Sequence, residues 1–374
     1  MYCFDLDPQQ LLDERSEQMK GWGIPERTLS AMRHSIKDMW SSSAGGWCFE
    51  WARCASDAER SRNWLKAAML YGAAKFPVTN TDDRKRAFAD QIRCYLLASS
   101  GFHCAFERRS ISVEYRGKTE HVPLHIYQRR AKRIDPTCPV IFVSGGVDTW
   151  KIEMHRLWVA LAQFGGFRVV ALDMPGTGES TVSLASDSEI IYQSVIQAFQ
   201  SHRAVKTGIL GVSFGGHWAA KLALLGSVTA AVDIGGPVGL EPGIPEPHSY
   251  PNGMAGIVGC ALGLSSAPTA EQLRSELARF YFCKQGLTQA TPHTPLLVIN
   301  GSDDPYVPMS DTTGFRNVPG ARVWLVNGAY HCAAEKLPRI MPGVIAWLRS
   351  QLHGRTAGSR IFESLTRAVL PALA

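Results

Sequence analysis

The sequence predicts an α/β protein, a mostly parallel sheet flanked by helices, with a helical domain ahead of it. Three observations carry this expectation. From Pro139 onward, short apolar runs alternate with amphipathic stretches, the pattern of strands and helices wound into a parallel sheet. Before about residue 105, apolar residues recur at helical spacing. Gly211-Val212-Ser213-Phe214-Gly215 stands where an apolar run meets a small-residue segment, the strand–turn–helix setting that a G-x-S-x-G pattern requires.

The elements follow in order. Pro25 opens a helix that runs to Trp40, with Leu29, Met32, Ile36 and Met39 on one side. Ser41–Gly46 breaks it, and Trp47–Cys54 reads as a short aromatic turn of helix. Asp57–Lys75 reads as a second long helix stopped by Pro77, and Thr81 caps a third. Near residue 109 the period becomes two. Ile111, Val113 and Tyr115 alternate, Arg116-Gly117 turns, and Val122, Leu124 and Ile126 alternate, which predicts a hairpin. The alternating strands and helices follow, up to a closing helix at Pro342–Leu352. One long segment, 237–294, interrupts them and turns helical from Thr269 to Cys283. A loop of that length reads as a lid or binding element. The expected organisation is a helical domain over 1–105, a catalytic domain over 106–354 with the 237–294 insertion, and a helical tail over 355–374.

Composition narrows the function. The 374 residues suffice for one large domain and a smaller one. The net charge of +6 is spread along the chain without a Lys/Arg block, which argues against a nucleic-acid partner. No apolar run is long enough to span a bilayer, and MYCFDLDPQQ lacks the features of a secretory leader. A cytoplasmic enzyme without membrane contact is therefore expected. The nine cysteines are odd in number and irregularly spaced, as expected of reduced thiols. His121 and His125 share a strand face, but no carboxylate or thiol pattern completes a metal set, so neither metal nor cofactor is expected.

The chemistry follows from Ser213. A serine hydroxyl is a poor nucleophile unless a base stands beside it and its approach is clear. A tight turn lifts Ser213 above the sheet edge, and the Phe214 amide at the helix start can face a developing oxyanion. The other groups should come from the carboxyl ends of the neighbouring strands. One such end is Gly301-Ser302-Asp303-Asp304-Pro305 and another is Tyr330-His331-Cys332. The order Ser213, Asp304, His331 is the nucleophile–acid–base order of the α/β-hydrolase fold. His331 would take the Ser213 proton, and Asp304 would hold its tautomer. Asp303 competes as the acid, but the Asp-Pro step favours Asp304 and leaves Asp303 to cap the turn. Ser144-Gly145-Gly146-Val147-Asp148 ends the first parallel strand, so a second oxyanion donor is expected from Gly146 or Val147. Asp148, Trp150 and Lys151 either line the same mouth or start the next helix, and His217 is expected to face away from the site.

LYGAAKFP (70–77), FVSGGVDTWK (142–151), ALDMPGTGES (171–180), GVSFGGHWAA (211–220) and NGSDDPYVP (300–308), with His331 beyond them, resemble the fermentation–respiration switch esterase-like branch of the α/β-hydrolases. That branch also holds hydrolases of 2,6-dihydropseudooxynicotine and of fungal polyketide chains. The resemblance implies an N-terminal helical cap over a serine-triad site that cleaves esters or carbon–carbon bonds next to carbonyls in bulky oxygenated substrates. It also implies an extra polar group for carbon–carbon cleavage, with Glu241, Glu246 and His248 as candidates, and a homodimer. An acyltransferase or cyclase using the same triad, and a non-catalytic small-molecule-binding protein on the same scaffold, are the alternatives. The pocket walls are expected mainly from the N-terminal helices, rich in Trp40, Trp47, Trp51, Trp64, Met69 and Tyr71, and from 237–283.

Overall fold

A computed structural model of the chain describes residues 2–131, 137–200, 205–240, 250–289 and 294–354. Eight strands form one sheet in these residues: β1 Ala105–Tyr115, β2 Lys118–Gln128, β3 Val140–Ser144, β4 Arg168–Leu172, β5 Thr207–Val212, β6 Ala230–Ile234, β7 Leu296–Gly301 and β8 Ala321–Val326. Their order is β1-β2-β4-β3-β5-β6-β7-β8. β1 and β2 form the expected hairpin and join β4 antiparallel, and the other neighbours run parallel. Every residue of β3, β5, β6 and β7 is buried, as the interior strands of a sheet covered on both faces should be. The fold is that of the α/β-hydrolases.

Five helices precede the sheet: α1 Pro8–Trp22, α2 Glu26–Ser35, α3 Trp47–Arg60, α4 Trp64–Lys75 and α5 Asp82–Ala98. Two expected boundaries differ. The helix from Pro25 stops at Ser35 instead of Trp40, because Ile36 turns extended and the Asp38 carboxylate takes the amides of Trp40 and Ser41 at 2.7 and 2.5 Å. Such a side-chain acceptor competes with the helical ladder. The expected Asp57–Lys75 helix is two helices, since Trp47 already opens α3 and Arg62 takes a left-handed φ of 55° between α3 and α4. Trp47 and Trp51 are fully buried in the resulting bundle. One hydrophobic cluster runs from Leu11 and Trp51 in these helices to Ile141 and Leu210 in the sheet, so the two parts share a core.

The remaining helices are α6 His155–Gly165, α7 Glu189–Phe199, α8 Phe214–Leu224, α9 Met254–Ala261, α10 Ala270–Leu277, α11 Met309–Thr313 and α12 Leu337–Leu352. Every residue of α8 is buried, and Gly215 and Gly216 let its first turn approach the β3 end and Asp233 closely, where a Cβ would find no room. In the insertion, a capping box between Thr269 and Gln272 starts α10, which gives way after Leu277 to a 3₁₀ turn at Ala278–Phe280. The closing helix begins at Leu337, five residues before its expected start, and carries Pro342 inside it. Residues 355–374, the expected tail, lie outside the described residues. Among the described residues no helix is long and apolar enough to cross a membrane.

Candidate active site

Strand β5 ends at Val212 and α8 begins at Phe214, so Ser213 alone makes the turn, with φ 57° and ψ −132°. Non-glycine residues rarely adopt such a backbone, which persists only where the surroundings enforce it. The enforcement is visible. Ser213 N–H donates to the Ile234 carbonyl at 2.8 Å, and both flanking glycines leave no room for a Cβ. A Cβ at Gly211 would stand 1.8 Å from the Gly215 carbonyl oxygen, and one at Gly215 would stand 2.5 Å from that of Gly145.

The strand ends bring the other two residues to Ser213. His331 Nε2 lies 2.9 Å from Ser213 Oγ, and His331 Nδ1 lies 2.7 Å from Asp304 Oδ2. A carboxylate only accepts, so Nδ1 carries the proton and Nε2 is left to accept from the serine hydroxyl. Asp304 is held on both oxygens. Oδ1 accepts the Tyr306 and Val307 amides at 2.8 and 3.1 Å, and Oδ2 also accepts from Asn300 Nδ2 at 2.8 Å. Burial pushes the Asp304 carboxyl up, but His331 and these hydrogen bonds outweigh it and hold the group below its ordinary value. Burial likewise opposes the His331 imidazolium. The adjoining Cys332 and the Asp304 carboxylate prevail, and His331 sits well above the ordinary histidine value.

Asp303, the competing acid, is exposed and accepts from the neighbouring Ser302 hydroxyl at 2.7 Å. The turn cap expected of it is supplied by Asp304. Asn300 was not a candidate from sequence, yet it joins the two loops. Its Nδ2 holds Asp304, while its Oδ1 accepts the Gly301 and Cys332 amides, each at 2.9 Å. The Asn-Gly step at the end of β7 was the available signal.

Phe214 is the first residue of α8, so its amide has no partner within its own helix. The two candidates for the second donor differ in their surroundings. Gly146 N–H is already spent on the Thr149 carbonyl at 3.0 Å, whereas Val147 lines the Ser213 cavity. Gly146 contributes by its lack of a side chain, since a Cβ there would meet Ser213 Cβ at 2.7 Å and Oγ at 2.9 Å. Asp148, Trp150 and Lys151 are buried behind the loop and do not line the cavity. Arg15 on α1 reaches Asp148 at 3.1 Å. Lys75 on α4 reaches Glu153 at 2.9 Å and the Asp148 carbonyl at 3.2 Å, and its ammonium stands 3.3 Å from the centre of the Trp150 ring. The N-terminal helices thus grip the loop from behind. Lys151 is engaged with Asp173 and, at 2.7 Å, with Glu179. His217 is buried, as its place on α8 requires, with Nδ1 2.8 Å from the Pro237 carbonyl oxygen.

A cavity of about 480 Å³ opens over Ser213 and His331. Its walls come from the insertion (Tyr250, Met254, Val258, Leu277, Phe280, Tyr281) and from the Asp304–Asp311 loop. The expectation that the N-terminal helices would also line it does not hold among the described residues. Trp47, Trp51, Met69 and Tyr71 are spent on their own core, and the helices reach the site indirectly, through the Arg15 guanidinium 5.6 Å from the Tyr306 ring centre. Glu241, Glu246 and His248 lie outside the described residues. Among the described residues no group of three or more metal-ligating side chains gathers.

Comparison with known proteins bears on the family and the fold. A family model described as "Esterase FrsA-like" matches residues 34–344. Esterase FrsA of Escherichia coli (strain K12 / DH10B) is 27% identical over 326 residues, covering 82% of this chain and 76% of that protein. Esterase FrsA of Salmonella typhi is 27% identical over 327 residues with the same coverage. Among solved structures, AbyA5 superposes with a TM-score of 0.76 at 16% identity, covering 97% of this chain and 100% of its own. A 2,6-dihydroxy-pseudo-oxynicotine hydrolase superposes with a TM-score of 0.70 at 19% identity, covering 90% and 95%. These two likenesses concern the fold.

Proposed function

Since the chain belongs to the FrsA-like esterase family, an esterase-type hydrolase of the α/β-hydrolase fold, we propose that it works through Ser213, His331 and Asp304. Ser213 Oγ attacks a substrate carbonyl while His331 Nε2 takes its proton. Asp304 steadies the imidazolium, and the Phe214 and Val147 amides receive the oxyanion. Collapse of the tetrahedral intermediate expels the leaving group, which takes the proton from His331, and leaves an acyl-serine. Water, activated by the same histidine, then releases the acid and regenerates Ser213. The observation that carries this reading is the continuous contact from Ser213 Oγ through the imidazole to Asp304, 2.9 and 2.7 Å.

The mainly apolar cavity, with Tyr250, Tyr281 and Tyr306 at its wall, suits a bulky oxygenated substrate. Esters are the primary class. A polyketide-like or aromatic compound cleaved at a carbon–carbon bond beside a carbonyl fits the same carbonyl chemistry. Within this reading the 1–105 helices brace the 106–354 catalytic domain, the 237–294 insertion forms the substrate wall, and the enzyme acts in the cytoplasm as a homodimer without a cofactor.

The test is covalent labelling. A fluorophosphonate probe should modify the wild type and leave Ser213→Ala untouched, and continued labelling of the variant would remove Ser213 from its role. Turnover in heavy-oxygen water separates hydrolysis from acyl transfer: label enters the released acid in the first case and is missing from the product in the second.

A further inference from the structure

The cavity over Ser213 does not end in bulk protein. On the far side of the insertion lies a second cavity of about 430 Å³, open to the surface and bordered by Tyr115, Arg116, Ser183, Leu262 and Arg279. The two share one lining residue, Phe280. Its neighbours in the chain divide between them: Arg279 borders the outer cavity and Tyr281 the inner one. The helices beside it divide in the same way. Val258 and Leu277 face the inner cavity, while Leu262 and Glu276, one turn and one residue away, face the outer. The segment from α9 to the 3₁₀ turn therefore stands between the two cavities, with Phe280 bordering both.

The ring is well placed to partition them. Phe280 is buried, and it meets the Phe214 ring edge-on at 5.3 Å between centroids. Phe214 supplies the amide next to Ser213, so a chain attached to an acylated Ser213 that runs along the apolar wall of Met254, Val258 and Leu277 meets Phe280 at its end. Trp218 and His217 back the ring at 6.1 and 5.7 Å, which keeps it from swinging toward α8.

Resting on Ser213 as the nucleophile, we propose that Phe280 is the specificity-determining residue that sets the depth of the acyl site, so that long unbranched acyl chains are refused at the partition. The same barrier admits compact bulky acyl groups, which fill the inner cavity without reaching it. Removing the ring joins the two cavities and gives a long chain a way out toward Arg116 and Arg279.

The experiment measures second-order labelling rates of Ser213 by alkyl fluorophosphonates from ethyl to dodecyl, in wild type, Phe280→Leu and Phe280→Ala, with folding checked by thermal melting. In the wild type the rate should fall once the chain exceeds the inner cavity. The dodecyl-to-ethyl ratio should rise at least about tenfold in Phe280→Ala, a gain comparable to burying two further methylenes, with Phe280→Leu between. An unchanged ratio in folded variants overturns the proposal, whether or not the absolute rates fall, because a loss shared by all chains is damage to the Phe214 amide and not to a barrier. If Phe280→Ala does not fold, Phe280→Leu decides alone. A wild type that no probe labels overturns the nucleophile itself, an outcome distinct from a flat ratio.

Discussion

At the scale of single residues the proposed mechanism makes one demand of a side chain and another of a missing one. In that proposal His331 takes the Ser213 proton only while neutral, and its neighbours lift its pKa well above the usual value. Activity should therefore rise with pH through a limb that lies above about 6.5, the value of a free histidine. A kcat/KM profile is the check, and a limb well below that value would contradict the proposed environment. Gly146 makes the opposite demand. A methyl there would press on Ser213 Cβ and Oγ at 2.7 and 2.9 Å, in a backbone pinned on both sides. Gly146→Ala should lower stability by about 1–3 kcal/mol, the usual cost of overpacking, and slow probe labelling of the folded variant by roughly 10²-fold or more, the order lost with an oxyanion donor. Labelling at the wild-type rate would mean that the loop can withdraw.

At the scale of elements, legibility in the sequence followed locality. β5, the Ser213 turn and α8 are adjacent in the chain, and their motif required every small residue found there. The proposed acid and base could be picked out because each follows a strand. Asn300 was not, because its role is to bridge β7 to the turn after β8, and the Asn-Gly step marks the end of the strand without naming those partners. Val147 could not be separated from Gly146 for a similar reason, since the choice rests on a hydrogen bond made by the Thr149 carbonyl. Helix α1 was not read from the sequence, although Asp7 before Pro8 and Gly23 after Trp22 mark its ends. Strand β6 yields a prediction of its own. Burial, reinforced by Asp311 and opposed by the Gly236 amide, raises the Asp233 carboxyl to about 8. A group raised on folding stabilises most below its unfolded pKa, and that contribution fades as pH climbs through the folded value. The melting temperature should fall between about pH 5 and pH 8 on this account, and Asp233→Asn should flatten the slope. An unaltered slope in that variant would place its origin elsewhere.

At the scale of the molecule, the N-terminal helices and the sheet are joined by charge as well as by a shared core. Lys75 and Glu153 are both fully buried, and Gln91 Nε2 donates to Glu153 at 3.0 Å. Glu153 also accepts the Trp150 amide at 3.0 Å, so the pair fixes the loop that carries Val147. Breaking one side of such a pair strands the other charge, at a cost of about 3–5 kcal/mol. Lys75→Met should lower stability to urea by that order, and Lys75→Met with Glu153→Gln should recover part of it. If the single variant matched the wild type, the pair would not be the joint described. The resemblance of 70–77 and 142–151 to one branch has its physical content here, because these two stretches hold one another.

The grip of α1 sets a timetable for the chain as it is made. Glu14 on α1 meets the Tyr306 hydroxyl at 3.4 Å, across 292 positions of sequence. At about 5–20 residues per second, a ribosome needs roughly 15–60 s to supply that partner. Through that interval α1, whose Leu11, Leu12, Met19 and Trp22 are buried in the finished protein, also lacks its contact with the 3₁₀ turn His331–Lys336. Helix α1 is thus completed only after a distant part of the chain has been made, and it should be a holding site for nascent-chain chaperones. Crosslinking of ribosome-bound chains arrested before and after Tyr306 clears the exit tunnel measures this directly. Chaperone contact through α1 should persist in the shorter chains and fade in the longer, and equal contact in both would free α1 from waiting on the far end of the chain.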